Sequence, residues 1–244
     1  GANPVITTAT DTQDKPALDM IAKRLNCVLK PFSNLSGANG ALVNGEQVNI
    51  FTDYNIDLTR IDKKIDNTDN LSIFPLCELP QKQQGFKVII SNKNFKSEYC
   101  RDIGLKPDNY LQLIPRSIII GIGCRKGINT GSIEKAVTAS LKKLNLKEES
   151  IKNLATIDLK KEEPGLLEFA DSRNLEIDII ERKEIKTADL NINESQFVKK
   201  VTGVPGVCEP AALLSADSGD LILSKTSYNK VTTAVVEEEI NYEK

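Results

Sequence analysis

One loop of the sequence combines glycine, cysteine and positive charge at a position suited to binding an anion. The segment Gly121–Gly127 begins at the end of an apolar run at 117–122 and precedes a stretch with helical spacing. A strand that ends in a glycine-rich loop and leads into a helix offers backbone N–H groups and the positive end of the helix dipole to an anion. Arg125 and Lys126 add fixed charge. The residues predicted to contact such a ligand are Gly121, Gly123, Cys124, Arg125, Lys126, Gly127 and Thr130.

Two other interpretations of this loop remain open at this point. The glycines can serve only to let a helix and a strand pack closely. A nucleotide site fits less well, because the GxGxxG pattern requires glycine at position 126, where lysine stands. The loop also lacks the Gly-Lys-Ser/Thr sequence of a Walker A motif.

A second loop, rich in glycine and proline, precedes the predicted helix Glu209–Ala216. A carboxylate at the start of a helix, such as that of Glu209, is either a cap or a general base that activates water. Cys208, like Cys124 in the first loop, is either small apolar filler or a thiolate nucleophile. The sequence therefore predicts Glu209 and Cys208 as catalytic candidates, and Gly206 as a ligand contact.

A third candidate segment lies at the end of the predicted strand Ala155–Leu159, where Asp158 and Lys160 stand. Open α/β sheets bind ligands at the carboxyl ends of their strands. Asp158 is therefore a second candidate for the general base, and Lys160 for an anion contact. The alternative is that both belong to ordinary surface ion pairs.

The composition excludes several mechanisms. The 244 residues include no histidine, which rules out Ser-His and Cys-His nucleophile pairs, an imidazole base and a histidine-ligated metal or haem. The 5 cysteines form no CxxC pair, so neither a disulfide framework nor a zinc cluster is indicated. The net charge is −2 and the charges are well mixed, so nucleic acid and membrane surfaces are not expected partners. Without a long apolar run or a signal segment, we expect a cytoplasmic protein.

Hydrophobic spacing predicts an α/β chain. We expect a carboxy-terminal α/β sandwich domain at 113–244, a smaller α/β middle domain at 28–112, and a remnant strand and helix at 1–27. The predicted strands of the first two regions are 4–9, Val48–Phe51 and Lys87–Ser91. The predicted helices there are 17–25 and Asp57–Ile65.

The carboxy-terminal region alternates strand-like and helix-like segments. Thr130 or Ser132 is expected to cap its first helix. The predicted strands are Ser117–Ile122, Ala155–Leu159 and Leu175–Ile180, with a closing hairpin of Asp220–Ser224 and Val231–Val236. The predicted helices are Ser132–Leu144, Pro164–Ser172, Glu194–Val201 and Glu209–Ala216.

The three candidate segments, in this order and at these separations, resemble the carboxy-terminal domain of the CbiG family. They read GIGCRKG from Gly121, LATIDLKKEEPGLLEFA from Leu154, and TGVPGVCEPAALLSA from Thr202. The segments Pro4–Leu25 and Ser36–Ile50 resemble the end of the amino-terminal domain and the start of the middle domain of that family. Relative to family members, most of the amino-terminal domain is expected to be missing.

The resemblance implies a cobalt-precorrin-5A hydrolase of anaerobic cobalamin (vitamin B12) biosynthesis. Such an enzyme opens the δ-lactone of its tetrapyrrole substrate and gives cobalt-precorrin-5B and acetaldehyde. The cobalt arrives with the substrate, so no cofactor is expected. Glu209 or Asp158 would activate water, and N–H groups of the first loop would stabilise the oxyanion.

The resemblance also allows a function of a different class. The same carboxy-terminal module resembles CobE, which suggests a non-catalytic protein that binds corrinoid intermediates. The expected partner in either case is a cobalt tetrapyrrole. A homodimer, or association with other enzymes of the cobalamin pathway, stays open.

Overall fold

The computed structural model describes residues 15–80, 84–188, 200 and 202–240. These residues divide into two units, the first ending at Arg116 and joined by Ile240, the second running from Ser117 to Glu239. Among the described residues, no helix is both long enough and apolar enough to cross a membrane. The predicted strand at 4–9 and the predicted helix Glu194–Val201 lie outside the described residues, the latter apart from residue 200.

The first unit contains a five-stranded mixed sheet with the order β1-β5-β4-β2-β3. Strands β2, β3, β4 and β5 run parallel, and β1 pairs antiparallel with β5. The strands are β1 (Cys27–Lys30), β2 (Val48–Thr52), β3 (Leu71–Pro75), β4 (Phe86–Ile90) and β5 (Tyr110–Pro115). The helices are α1 (Leu18–Arg24), α2 (Leu35–Val43), α3 (Leu58–Ile61) and α4 (Ser97–Asp102).

Both faces of this sheet are buried, as a mostly parallel sheet requires. Ile50 and Val88 face a core that also contains Leu18 and Ile21 of α1. Their strand neighbours, such as Phe51, point to the opposite face and pack in a second, smaller core. The helix predicted at 17–25 is confirmed, and it packs within the core of the middle region rather than apart from it.

The helix predicted over Asp57–Ile65 is interrupted. Helix α3 ends at Ile61, and a separate 3-10 helix covers Lys63–Asn67. Asp62 between them has an extended backbone with φ −143° and ψ 111°, and its side chain accepts a hydrogen bond from the Lys64 N–H. Short Asp side chains compete for backbone N–H groups in this way, which starts a new turn in place of a continuing helix.

The second unit contains a five-stranded sheet with the order β8-β7-β6-β10-β9. Strands β6, β7 and β8 are parallel, and the hairpin of β9 and β10 adds antiparallel to β6. The strands are β6 (Ile118–Cys124), β7 (Ile151–Ile157), β8 (Glu176–Ile180), β9 (Gly219–Tyr228) and β10 (Val231–Glu238). The helices are α5 (Thr130–Leu144), α6 (Pro164–Arg173), α7 (Arg182–Thr187) and α8 (Cys208–Ser215). The predicted alternation of strands and helices in this region is confirmed.

Helices cover both faces of the second sheet. Helices α5 and α6 pack on the face that contains Ile120 and Ile122, with Phe169 in the same core. Helices α7 and α8 pack on the opposite face, where Ile119 and Ala212 meet. This three-layer arrangement leaves the strand ends and their loops as the exposed edges of the sheet.

The cap of α5 differs from the two predicted residues. The Asn129 side chain accepts a hydrogen bond from the Ser132 N–H at 2.8 Å, so Asn129 caps the helix instead of Thr130 or Ser132. The helix ends at Asn145, which has the left-handed backbone conformation with φ 55°. Both ends of α5 are therefore fixed by asparagine.

Replacing Asn129 with alanine is expected to remove the side-chain acceptor of this cap. The free energy of unfolding should fall by about 1 kcal/mol, whereas Asn129→Asp should retain most of it because a carboxylate also caps helices. Urea unfolding followed by circular dichroism measures both changes. Equal stability of the alanine and aspartate variants would contradict the capping role.

Candidate functional site

The candidate site lies where the three parallel strands of the second unit end. Cys124 closes β6, Asp158 follows β7 directly, and Arg182 begins α7 just after β8. Because parallel strands place their carboxyl ends along one edge, the loops after them lie side by side. The sheet thus brings together the first and third of the segments that the sequence predicts to carry chemistry. The second segment meets them too, because the Thr202 carbonyl accepts a hydrogen bond from Arg182 and Cys208 packs against Gly121.

The loop after β6 is held by a carboxylate that the sequence does not single out. Glu163, which is 6% exposed, accepts hydrogen bonds from the N–H groups of Gly127 at 2.5 Å and Ile128 at 3.1 Å. Its second oxygen lies 3.5 Å from the ammonium of Lys160. These two N–H groups were expected to be open to a ligand anion, but a carboxylate of the protein already fills that position.

The positive side chains of this loop point to solvent. Arg125 and Lys126 are exposed, and the Arg125 backbone N–H donates to the Lys230 carbonyl at 3.1 Å, which ties the loop to the β9–β10 turn. Thr130 donates its hydroxyl to Glu168 at 2.5 Å and so links α5 to α6. A ligand at this edge would therefore meet guanidinium and ammonium groups more readily than backbone N–H groups.

Asp158 is held by an arginine. The Arg182 Nε atom lies 2.7 Å and 3.0 Å from the two carboxylate oxygens, and the Leu159 N–H donates to one of them at 2.9 Å. Arg182 also donates to the Thr202 carbonyl at 3.1 Å. The Asp158 side chain keeps 21% of its surface exposed, so it is oriented by the protein yet accessible at the strand end.

Glu209 occupies a more enclosed position. It lies in the first turn of α8, is 3% exposed, and accepts a hydrogen bond from the Lys225 N–H of β9 at 2.7 Å. This bond joins α8 to the edge strand of the sheet. Glu209 thus accepts a hydrogen bond from a strand N–H group, whereas Asp158 accepts from the Arg182 side chain.

The two glycines of β6 allow close packing against α8. A Cβ atom on Gly121 would lie 1.9 Å from the carbonyl oxygen of Cys208, and one on Gly123 would lie 2.6 Å from the Thr232 hydroxyl. The clash at Gly121 is with backbone, so that position requires glycine, whereas a side chain at 123 would require the Thr232 hydroxyl to move. Gly206, at the entry to α8, is buried. For Gly121 and Gly123, this geometry supports the packing interpretation over direct ligand contact.

Of the two candidate thiols, Cys208 is buried and Cys124 is half-buried. Burial raises the pKa of the Cys208 thiol to about 11, with a hydrogen bond to Thr232 acting in the opposite direction. Burial also raises the pKa of Cys124 to about 11, opposed by the positive charge of Lys160. Both thiols are therefore protonated near neutral pH, which argues against either as an ionised nucleophile.

No group of three or more acidic, cysteine or histidine side chains is arranged to hold a metal ion within the described residues. The charged groups at the edge are instead paired carboxylates and cations. Arg125 and Lys126 are exposed at this edge, and such cations form charge-assisted hydrogen bonds with an anionic ligand.

Two protein-family models match consecutive parts of the chain. The cobalamin biosynthesis central region matches residues 16–115, and the cobalamin synthesis G C-terminus matches residues 118–236. The chain belongs to the CbiG family. The two matched ranges correspond closely to the two structural units.

Similar proteins carry names from the same pathway. The chain is 28% identical to the cobalt-precorrin-5A hydrolase of Priestia megaterium over 96% of this chain and 61% of that protein. It is 28% identical to the cobalt-precorrin-5A hydrolase of Salmonella typhimurium over 88% of this chain and 58% of that protein. A solved cobalamin biosynthesis protein G homolog from Sulfolobus solfataricus shares 24% identity, with a TM-score of 0.43, over 96% of this chain and 62% of that one. The chain thus spans about three fifths of the length of these CbiG relatives.

Truncation of the Glu163 side chain tests whether this carboxylate holds the loop. Glu163→Ala should lower the free energy of unfolding by about 3 kcal/mol, because two N–H groups lose an ionised acceptor. The exposed neighbour Glu162 provides a matched control, and Glu162→Ala should change stability by no more than about 0.5 kcal/mol. Chemical denaturation measures both, and similar small effects would contradict the anchoring role.

The raised thiol pKa values predict slow alkylation. At about pH 7.5, iodoacetamide should modify the exposed Cys77 first, and Cys124 and Cys208 about 100-fold more slowly, because few of their thiols are ionised. Their rates should rise with pH until the pH reaches the thiol pKa near 11. Peptide mass spectrometry resolves the five sites. Rapid modification of Cys208 at neutral pH would restore the thiolate nucleophile as a candidate.

Proposed function

We propose that the chain acts on cobalt-precorrin-5A, hydrolysing its δ-lactone to give cobalt-precorrin-5B and acetaldehyde. The observation that carries this proposal is the match of both CbiG models, in order, over 16–115 and 118–236. The exposed cations Arg125 and Lys126 support it, because the tetrapyrrole carries many acetate and propionate groups. Cobalt belongs to the substrate in this proposal, and the protein supplies no cofactor.

The cations at the strand ends are proposed to bind substrate carboxylates. Arg125 and Lys126 are exposed on a loop whose backbone is fixed by Glu163, so their charges are presented from a defined position. Lys160, which is 18% exposed, contacts Glu163, the same carboxylate that binds this loop. Charge-assisted hydrogen bonds from such groups to carboxylates are shorter and stronger than neutral ones.

Asp158 is proposed as the general base. Its carboxylate is oriented by Arg182 and stays partly exposed at the same edge as the cations, whereas Glu209 is 3% exposed and bonded to a strand N–H. Water activated by Asp158 would add to the lactone carbonyl and break its ring carbon–oxygen bond, which gives a carboxylate and an alcohol. Acetaldehyde would leave when that alcohol loses its proton and becomes a carbonyl, as the carbon–carbon bond to the macrocycle breaks and its electron pair passes to the conjugated macrocycle. Because Gly127 and Ile128 already bind Glu163, the developing oxyanion would be stabilised mainly by the cations.

The test is acetaldehyde release from anaerobically prepared cobalt-precorrin-5A. Asp158→Asn should lower the rate about 10²–10³-fold, since loss of a general base typically costs that much. Glu209→Gln, the matched carboxylate-to-amide change, should have a much smaller effect. Thermal unfolding of both variants controls for loss of structure.

Three outcomes would change this proposal. A large effect of Glu209→Gln with an active Asp158→Asn variant would move the base to Glu209. Tight binding by the wild-type chain without acetaldehyde release, alongside an active Priestia megaterium hydrolase, would assign essential chemistry to residues outside this sequence. Absence of binding would contradict the choice of substrate.

A further inference from the structure

The first unit contains a cleft of about 430 Å³, and none of the proposed catalytic residues lines it. It lies between α1, with the residues just before it, and the turn that joins α3 to the following 3-10 helix. Its ten lining residues include five cations and one carboxylate. We call it the cationic cleft, and its charged residues are Lys15, Arg24, Arg60, Lys63, Lys64 and Asp62.

The positive charge of the cleft is out of proportion to the chain as a whole, whose net charge is −2. The one lining carboxylate, Asp62, is engaged with the backbone, because it accepts from the Lys64 N–H at 3.0 Å. Arg60 contacts Asp57 at 3.1 Å, but both of these side chains are largely exposed, so the pair is weak in water. The lining thus contains more cationic than anionic side chains, which favours anionic ligands.

Hydrogen bonds and buried residues hold the walls of the cleft in place. The Arg24 guanidinium donates to the Ile61 carbonyl, which ties α1 to the end of α3. Lys15 donates to the Asn70 side chain at 3.3 Å. Ile21 and Ile61 beneath the cleft are fully or almost fully buried in the core of the unit. The cations thus stand on a packed framework.

The lining also contains apolar surface. Met20 is 46% exposed although it is a large hydrophobic residue, and it borders the cleft together with Ala17. The combination of cations with an exposed thioether suits a ligand that has both carboxylates and an apolar body. A small inorganic anion or a nucleic-acid backbone would use the charges but not the apolar surface.

We infer that the cationic cleft is a second binding site for the carboxylates of a polycarboxylate tetrapyrrole. The inference rests on the proposed function for the class of ligand, and it assigns the first unit a direct part in holding that ligand. The volume lies within the range of about 300–1,000 Å³ typical of small-molecule pockets, which is enough for one edge of a macrocycle and its side chains.

The experiment is a binding titration of the whole 244-residue chain with uroporphyrin III, a stable tetrapyrrole octacarboxylate, followed by quenching of porphyrin fluorescence. The double variant Arg60→Gln, Lys63→Gln removes two exposed cations of the cleft. The matched control Lys142→Gln, Lys143→Gln removes two exposed cations of α5. The cleft variant should raise Kd about tenfold, and the control should change it less than about twofold.

Salt and competition distinguish the kinds of ligand. The difference between the two variants should shrink as salt rises from roughly 50 to 300 mM, because exposed charges are screened. Inorganic phosphate should compete only weakly. Equal Kd values for both double variants, or phosphate competing as well as uroporphyrin, would overturn the inference. Thermal unfolding of each variant shows whether a loss of affinity comes from a loss of folding.

Kinetics separate this inference from the proposed function. If the wild-type chain releases acetaldehyde and the cleft variant leaves KM unchanged, the cleft inference fails while the function stands. If no acetaldehyde appears but the cleft variant weakens uroporphyrin binding, the proposed reaction fails while the binding site stands. An increase in KM with little change in kcat is the result expected of a site that only holds the ligand.

Discussion

The carboxylate of Glu163 is buried, and the candidate site depends on how that charge is compensated. Moving an ionised group out of water costs several kcal/mol unless it is paired and hydrogen-bonded. Here the compensation comes from the N–H groups of Gly127 and Ile128 and from the ammonium of Lys160. If the loop moved away, the carboxylate would lose both of these N–H donors. Arg125, two residues before Gly127, is consequently presented to solvent from a fixed backbone.

Close approach of helices to strand and loop gives the same region its rigidity. The carbonyl of Cys208 would overlap any side chain on Gly121, and the carbonyl of Ile128 would lie 2.2 Å from a Cβ atom on Gly165. One contact brings α8 against β6, and the other brings the start of α6 against the loop that Glu163 binds. A site whose charged groups rest on such contacts loses little orientation freedom when a ligand arrives. The glycines therefore contribute to binding through the framework.

The regular elements of the second unit were predictable, and the contacts that position the site were not. Apolar runs and helical spacing are local signals, so the strand at 117–122 and the helix from Ser132 were found within a few residues. Glu163 was missed because its partner Gly127 is 36 residues away, and an acidic residue before a proline looks like an ordinary helix start. Asn129 was missed as the cap because Thr130 and Ser132 beside it are also good cap residues, and only the backbone conformation decides among them.

Asp158 and Glu209 are the two candidate bases in this chain without histidine, and they differ in how accessible their carboxylates are to water. An ionised carboxylate has about four lone-pair sites. At Asp158, one carboxylate oxygen accepts from both the Arg182 Nε–H and the Leu159 N–H, and the other oxygen is close only to Arg182 in the described part of the chain. The second oxygen therefore keeps a lone pair open toward the exposed strand end. Glu209 accepts only the Lys225 N–H among the described residues, so it has more open lone pairs but almost no surface that water can reach. A base must contact the water that it deprotonates. The carboxylate with fewer vacant sites is therefore the better placed of the two.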